Sequence, residues 1–279
     1  MRKEPAMPDL SIHTDLARQI LTGFIRTEIT RAGFSRAVLG VSGGLDSSLS
    51  CFLAAEAMGP ENVLAVRMPY KTSSTDSLEH AQEVIDILGV QSLTIPITGM
   101  VDPLFDLFPD ASQIRRGNAM ARARMIILYD QSEAFKGMVV GTGNKTEILL
   151  GYTTLYGACA NALNPIGDLY KTQARQLARA LGVPSGIIDK PPSADLWKGQ
   201  TDEGELGFTY AEVDQLLYLL VDQRYSPEDC LEAGFEAEFV RIVVERVRRN
   251  HFKRILPPVA KLTNRTIGYD FLYLRDWGT

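Results

Sequence analysis

The segment Ala37–Ser48 (AVLGVSGGLDSS) constrains the fold of this chain most, because strand, glycine-turn and helix signals follow one another within it. The apolar residues before Ser42 predict a short buried strand, and the pair Gly43-Gly44 lets the backbone turn tightly against a ligand. The helical spacing that follows places the turn at a helix N-terminus, where free amides and the helix dipole favour an anion. A serine-glycine turn that only caps a helix is the alternative.

Four side chains around this turn carry oxygen atoms that suit a phosphate ligand. Ser42, Ser47 and Ser48 supply hydroxyl donors. The carboxylate of Asp46 would repel a phosphate unless a divalent cation lay between them. The segment lacks the GxxxxGK[ST] pattern of the common kinase and GTPase loops. It therefore predicts a different kind of phosphate site, with a bridging metal ion.

Composition restricts the partners of the chain. Of its 279 residues, 45% are apolar and 23% are charged, and the net charge of −5 argues against a nucleic-acid partner. Cys51, Cys159 and Cys230 form neither a disulfide framework nor a zinc pattern. No apolar signal segment and no membrane-spanning stretch is evident. We therefore expect a cytoplasmic protein without nucleic-acid or membrane partners.

Strands and helices alternate over the first half of the chain, which predicts an α/β fold with a doubly wound, mostly parallel sheet and helices on both faces. The predicted strands are Ala37–Val41, Val63–Met68, Ser92–Ile97 and Met138–Val140, and the predicted helices are Leu10–Ala32, Ser48–Met58, Asp76–Leu88 and Asn118–Gln131. Such sheets bind ligands at the carboxyl ends of their strands. We expect the loops that begin at Ser42, Arg67 and Gly141 to form one nucleotide site there.

The second half of the chain is predicted to be mostly helical, with one long loop. Helices are expected at Asp168–Leu181, with Asp168 as N-cap, and at Tyr210–Val221, Pro227–Ala233 and Ala237–His251. Residues 190–207 are polar and rich in Pro and Gly, which is typical of a functional or disordered loop. We predict a single domain over residues 1–279, with a nucleotide-binding core at about 33–190 and a lid loop, helices and tail beyond it.

Six segments in order resemble one protein family over nearly the whole chain. They are SGGLDSS, GNAMARARM (117–125), GTGNKTEILLGY (141–152), NPIGDLYKTQ (164–173), PPSADLWKGQTDEGELG (191–207) and FKRILPP (252–258). The first is similar to the pyrophosphate loop of the N-type ATP pyrophosphatases, which have the adenine nucleotide alpha hydrolase-like fold. Together the six resemble the ammonia-dependent NAD synthetases of that superfamily.

The resemblance implies a reaction in two steps. ATP adenylates the nicotinate carboxylate of deamido-NAD and releases pyrophosphate, and ammonia then displaces AMP to give NAD. The residue chemistry agrees, since bringing a carboxylate and a triphosphate together requires cations that neutralise the developing charge. The resemblance further implies Mg²⁺, a homodimer, and free ammonia rather than glutamine as the nitrogen donor.

The resemblance implies that Asp46 and Glu147 hold Mg²⁺ and that Lys171 contacts the ATP phosphates. Carboxylates at strand-end loops suit a hard cation. Taken alone, Glu147 could be an acid that complements a helix dipole, and Lys171 a solvated lysine. The ATP contacts implied in total are Gly40, Val41, Ser42, Gly43, Gly44, Leu45, Asp46, Ser47, Ser48, Arg67, Met68, Thr142, Lys171 and Ser193. Thr142 and Ser193 could also be ordinary turn residues.

The positions that match the family's acceptor site are Arg122, Leu155, Ala162, Phe252 and Lys253. Of these, Arg122 matches an arginine that reaches the deamido-NAD of the other subunit. Three charged positions of the family are apolar here, because Leu155 stands for a lysine and Ala158 and Ala162 stand for aspartates. Phe252 stands in a histidine position. These departures predict weaker acceptor binding with ATP binding unchanged.

Two other functions remain open from the sequence. The chain could be an ATP pyrophosphatase that acts on a different carboxylate or acceptor, which product identity would reveal. It could also be a nucleotide-binding relative with low activity or without turnover, which pyrophosphate release from ATP and deamido-NAD would distinguish from a synthetase. In every case we expect residues 190–207 to close over ATP, so that protease cleavage near Lys198 is suppressed by the nucleotide.

Overall fold

The computed structural model describes residues 8–197 and 199–271. The first seven residues, Lys198 and the last eight residues lie outside this range, and so does the expected cleavage site at Lys198. Within the described residues, no helix is both long and apolar enough to cross a membrane.

A four-stranded parallel sheet forms the centre of the fold, as predicted. Its strands are β1 (Ala37–Gly40), β2 (Val63–Arg67), β3 (Gln91–Thr94) and β4 (Met138–Val139), in the order β3-β2-β1-β4. Val38 pairs with Leu64 on one side and Val139 on the other, and Val140 continues the sheet through a bridge to Leu163. β3 begins and ends earlier than predicted because it is a fully exposed edge strand with little apolar pattern.

Helices cover both faces of this sheet, as the alternating pattern predicted. They are α1 (Thr14–Arg31), α2 (Leu45–Met58), α3 (Thr75–Leu88), α4 (Thr98–Leu107), α5 (Gln113–Phe135), α6 (Lys145–Leu150), α7 (Lys171–Ala180) and α8 (Ser185–Ile188). Leu39 of β1 packs with Ile29 and Leu49 on one face, whereas its neighbour Val38 packs with Met120 on the other. The alternation of side chains along a strand therefore produces two cores.

The last helices build a third apolar cluster around α6 and the start of α7. They are α9 (Asp202–Leu206), α10 (Tyr210–Leu217), α11 (Pro227–Glu232) and α12 (Ala237–Arg249), with a π-helical turn at Tyr218–Asp222 and a 3₁₀ turn at His251–Lys253. Tyr170, Tyr210 and Val213 are buried in this cluster with Leu150 of α6. The third cluster thus fixes the helices that carry Glu147 and Lys171.

Several predicted boundaries were wrong, each for a local reason. α7 begins at Lys171, because Tyr170 is its N-cap and Asp168 is an exposed residue that pairs with Lys145. α5 begins five residues before Asn118, where the Ser112 hydroxyl accepts from a first-turn amide. The helices α4 and α6 were not predicted. The loop 190–207 contains the short helix α9, whose N-cap is Thr201.

Candidate active site

The glycine loop between β1 and α2 has a geometry that only glycine can adopt at residue 43. Gly43 has a φ of +79°, and a Cβ on it would lie 2.1 Å from the carbonyl oxygen of Ser77 on α3. The Ser47 hydroxyl accepts a hydrogen bond from the Ser42 amide at 3.2 Å, and Ser48 donates to the Gly44 carbonyl at 2.8 Å. These bonds hold the loop open at the N-terminus of α2.

Three predicted residues meet beside this loop. Lys171 Nζ lies 2.5 Å from Asp46 Oδ2 and 3.2 Å from Glu147 Oε1, with its ammonium 5.0 Å from the centre of the Tyr210 ring. Burial raises the pKa of Glu147. Burial opposes the charge on Lys171, but the carboxylates of Asp46 and Glu147 outweigh it and raise the pKa of the lysine. The structure therefore holds one ammonium between two carboxylates.

The two carboxylates fit a magnesium ion that would also bind phosphate oxygens. Asp46 Oδ1 is buried and has no hydrogen-bond partner among the described residues, so one acceptor remains free on the residue nearest the loop. Mg²⁺ is commonly held by one or two carboxylates together with substrate phosphates. No cluster of three or more potential metal-ligating residues occurs in the described ranges, so an ion at Asp46 and Glu147 would need further ligands from the substrate or from water.

A buried carboxylate that sequence reasoning missed holds the cluster together. Asp214 of α10 is fully buried, accepts from the Thr146 hydroxyl at 2.5 Å and from the Thr172 amide at 2.8 Å. The Lys171 amide in turn donates to the Thr146 hydroxyl at 3.0 Å. Asp214 thereby joins the N-termini of α6 and α7. Its one sequence signal is a carboxylate on the apolar face of an amphipathic helix.

The neighbouring helix α9 brings a second missed carboxylate to the site. Asp202 is 5% exposed and accepts hydrogen bonds from the hydroxyls of Tyr210 at 3.1 Å and Tyr152 at 3.2 Å. Burial raises the pKa of Asp202, while the charge of Lys171 and the two tyrosine hydroxyls act in the opposite direction. The segment 190–207 thus reaches the cluster of Lys171, Asp46 and Glu147 through a buried acid.

One cavity of about 1380 Å³ contains these groups and most of the predicted ATP contacts. The predicted ATP residues that line it are Gly40, Val41, Ser42, Gly44, Leu45, Asp46, Ser47, Arg67, Met68, Thr142, Lys171 and Ser193. Gly43 and Ser48 do not line it and act through the loop conformation instead. Arg124 of α5 also lines the cavity and donates to the Met68 carbonyl at 3.1 Å.

Of the five residues predicted to bind deamido-NAD, one lines the cavity and four do not. Lys253 lines the cavity, and its ammonium donates to the carbonyls of Gly151 at 2.7 Å and Thr153 at 2.9 Å. Arg122 is exposed and donates to the Leu155 carbonyl at 3.2 Å. The residues that do not line the cavity of this single chain are Arg122, Leu155, Ala162 and Phe252.

Ala158 and Cys159 do line the cavity, and so does one face of α12. The Cys159 thiol donates to the Thr154 carbonyl at 3.1 Å, which agrees with a packing role. The cavity residues of α12 and the turn after it are Ile242, Glu245, Arg246, Arg249, Asn250 and Lys253. The sequence showed a helix here but not which face it presents.

A parallel sheet with a glycine loop, paired carboxylates and a lysine at the carboxyl ends of its strands defines an α/β nucleotide-binding protein. The chain belongs to the NAD synthase family, whose family model matches residues 17–257. This assignment confirms the predicted resemblance and the predicted class of enzyme, a ligase that forms a C–N bond.

Relatives and solved structures support the same assignment. The chain is 58% identical to an NH(3)-dependent NAD(+) synthetase of Trichlorobacter lovleyi, over 98% of this chain and 100% of that protein. It is 55% identical to one of Chlorobaculum parvum, over 96% and 97%.

Among solved structures, an NH3-dependent NAD synthetase of Campylobacter jejuni is similar with a TM-score of 0.77 and 30% identity, over 90% of this chain and 100% of that chain. An NMN synthetase of Francisella tularensis is similar with a TM-score of 0.81, 30% identity and the same coverage.

Proposed function

We propose that this protein amidates deamido-NAD to NAD with ammonia, using ATP as co-substrate. The observation that carries the proposal is the cluster of Lys171, Asp46 and Glu147 at the glycine loop, in a cavity that continues to Lys253. The loop and the cluster suit a triphosphate, and the cavity is large enough for a second, extended substrate. The family of the chain agrees with this assignment.

In the first step, a carboxylate oxygen of deamido-NAD bonds to the α-phosphorus of ATP, and the bond from that phosphorus to the bridging oxygen breaks. The electron pair leaves with pyrophosphate. Amides of the glycine loop and the ammonium of Lys171 stabilise the negative charge that develops there. Mg²⁺, held by Asp46 and Glu147, would neutralise further phosphate charge.

In the second step, the nitrogen of ammonia bonds to the carbonyl carbon of the acyl adenylate. The bond from that carbon to the AMP oxygen breaks, AMP leaves with the electron pair, and one proton of the nitrogen passes to solvent. The segment 190–207 borders this part of the cavity with Asp202 and Glu205. Closure of that segment would exclude water, which would otherwise hydrolyse the adenylate.

The direct test is an assay of the purified chain with Mg-ATP, ammonium chloride and deamido-NAD, followed by detection of NAD and pyrophosphate. We expect both products in equal amounts, with a rate that follows the NH₃ fraction as pH rises toward the ammonium pKa. Glutamine in place of ammonium should give no NAD. Equal turnover with glutamine in a preparation free of other proteins would contradict the assignment of ammonia.

A second candidate function uses the same adenylation and amidation steps, but its acceptor substrate is a mononucleotide instead of deamido-NAD. It is motivated by the similar fold of the Francisella NMN synthetase. Competition between deamido-NAD and its mononucleotide counterpart in one assay discriminates the two, because the larger kcat/KM identifies the physiological acceptor. We expect the dinucleotide to be preferred, because the NAD(+) synthetases among the relatives are 58% and 55% identical to this chain, whereas the NMN synthetase is 30% identical.

We further propose that the protein is a homodimer. Arg122 is exposed on α5, and the side chains of Ile126 and Tyr129, which share its helix face, are 55% and 41% exposed. A second copy that covers this face would bring Arg122 to the acceptor of its partner. Light scattering of the purified chain tests this directly, and a monomer at micromolar concentration would contradict it.

We also propose a cytoplasmic location and a single domain over residues 1–279. The three cysteines are free, with Cys51 and Cys230 buried, which suits a reducing compartment. Fractionation of cells that express the protein tests the location. A single cooperative unfolding transition, observed by calorimetry, is the expected behaviour of one domain.

A further inference from the structure

Two cations beside the glycine loop are not explained by the residues predicted for ATP. Arg175 lies one helical turn after Lys171 on α7, and it lines the cavity. Lys190 follows α8, also lines the cavity, and donates to the Ser77 hydroxyl at 3.0 Å. The carbonyl oxygen of Ser77 is the atom that a Cβ on Gly43 would meet at 2.1 Å, so Ser77 lies against the glycine loop. Both cations therefore lie at the phosphate end of the cavity.

The side chain of Arg175 has no hydrogen-bond acceptor among the described residues. Its Nε is buried without a partner, and its guanidinium forms no hydrogen bond or ion pair with residues 8–197 or 199–271. Buried donors without a partner are rare and costly, so each one calls for an explanation. Arg179, one turn further along α7, provides the contrast because it pairs with Asp189 at the surface and does not line the cavity.

The positive charge of Lys171 alone is not enough to neutralise the negative charge of the leaving pyrophosphate. Its ammonium is already shared by Asp46 and Glu147, and Asp76 adds a further carboxylate to the cavity wall near the loop. Cleavage of ATP between its α- and β-phosphates places an additional negative charge on the leaving pyrophosphate. The guanidinium group of an arginine can donate two parallel hydrogen bonds to phosphate oxygens, and the ammonium group of a lysine adds a compact positive charge.

We propose that Arg175 and Lys190 form the subsite for the β- and γ-phosphates of ATP and thus for the pyrophosphate that leaves. The bond from the α-phosphorus to the bridging oxygen breaks, and the electron pair moves onto an oxygen that Arg175 and Lys190 stabilise. This inference rests on the proposed function, and it names the cations that act on the leaving group.

The test is inhibition and binding by inorganic pyrophosphate in the full-length protein. We expect Arg175→Gln to raise the inhibition constant of pyrophosphate about ten- to a hundredfold and to lower kcat, with the inhibition constant of AMP changed less than about twofold. Lys190→Gln should act in the same direction, and Arg175→Lys should recover part of the loss. Arg179→Gln is the matched control and should leave all these constants unchanged, because it loses only an exposed ion pair.

Binding of magnesium pyrophosphate by calorimetry, without deamido-NAD, separates this subsite from the overall reaction. If wild-type protein binds pyrophosphate and Arg175→Gln loses it while no NAD forms, the subsite stands and the proposed function fails. If NAD forms and the pyrophosphate affinity of folded Arg175→Gln equals that of wild type, the subsite is wrong. Should Arg175→Gln not fold, unchanged affinity in Arg175→Lys and Lys190→Gln together would overturn the proposal.

Discussion

Lys171 Nζ lies 2.5 Å from Asp46 Oδ2, although 125 positions separate the two residues in the chain. The pair is almost completely buried, with side-chain exposures of 5% and 13%. A buried ion pair of this kind is a weak source of stability, because desolvation offsets much of its attraction. Its place at the glycine loop agrees with the proposal that the lysine orients this carboxylate for a metal ion and a nucleotide.

Replacing Asp46 with Asn tests the magnesium assignment. The amide has the shape of the carboxylate but lacks its charge, so we expect turnover to fall by a factor on the order of 100 or more, the scale seen when one charge-stabilising group is lost. Lys171 keeps Glu147 as a partner, so the variant should still fold, as circular dichroism would show. Initial rates over a range of magnesium concentrations are the measurement. Wild-type activity at limiting magnesium would rule out the assignment.

Replacing Asp214 with Asn tests whether this acid positions Lys171 and Glu147. Loss of one of its two hydrogen bonds should cost about 1–3 kcal/mol of stability and loosen the N-termini of α6 and α7. We expect kcat to fall about tenfold or more while the KM for ATP changes less. Asp102→Asn is the control, because Asp102 also accepts two side-chain hydrogen bonds, but from Tyr70 and Lys71 rather than from α6 or α7. A similar loss of kcat in both variants would indicate a purely structural role.

Binding of Mg-ATP should protect residues 190–207 from proteases. In this segment Asp195 Oδ2 accepts a hydrogen bond from the Ser74 amide before α3 at 3.0 Å, and Ser193 is exposed on the cavity wall. We expect tryptic cleavage after Lys198 to slow about tenfold or more with saturating nucleotide, whereas cleavage at exposed Lys136 should not change. Mass spectrometry of the fragments identifies the sites. Unchanged cleavage in the segment would contradict a lid.

Restoring the charged residues of the family tests the acceptor site. We expect Leu155→Lys with Ala162→Asp to lower the KM for deamido-NAD about tenfold and to leave that for ATP within about twofold, since a desolvated charge-assisted hydrogen bond contributes about 1.5–3 kcal/mol. Neither residue lines the cavity of one chain, so the effect requires an acceptor that extends past it. Steady-state kinetics with each substrate varied give both constants. Weaker acceptor binding would mean that the segment is built around other contacts.

Local sequence determined the parts of the site that depend on neighbouring residues. Gly43-Gly44 after an apolar run specified the turn, because φ near +79° is accessible to glycine at little cost. The alternation of strands and helices specified a parallel sheet, since parallel strands require crossovers. The short helices α4 and α6 escaped prediction because few residues carry their periodicity, and α4 contains Pro103.

Tertiary structure alone decided which distant residues act together. Nothing in the spacing of Asp214 or Asp202 shows that one joins α6 to α7 and the other reaches the cavity from the segment 190–207. The same holds for Arg175 and Arg179, which differ by one helical turn and by whether they face the cavity or Asp189. Sequence fixes the chemistry of each side chain and its local backbone, but its neighbours across the fold depend on how the helices pack on the sheet.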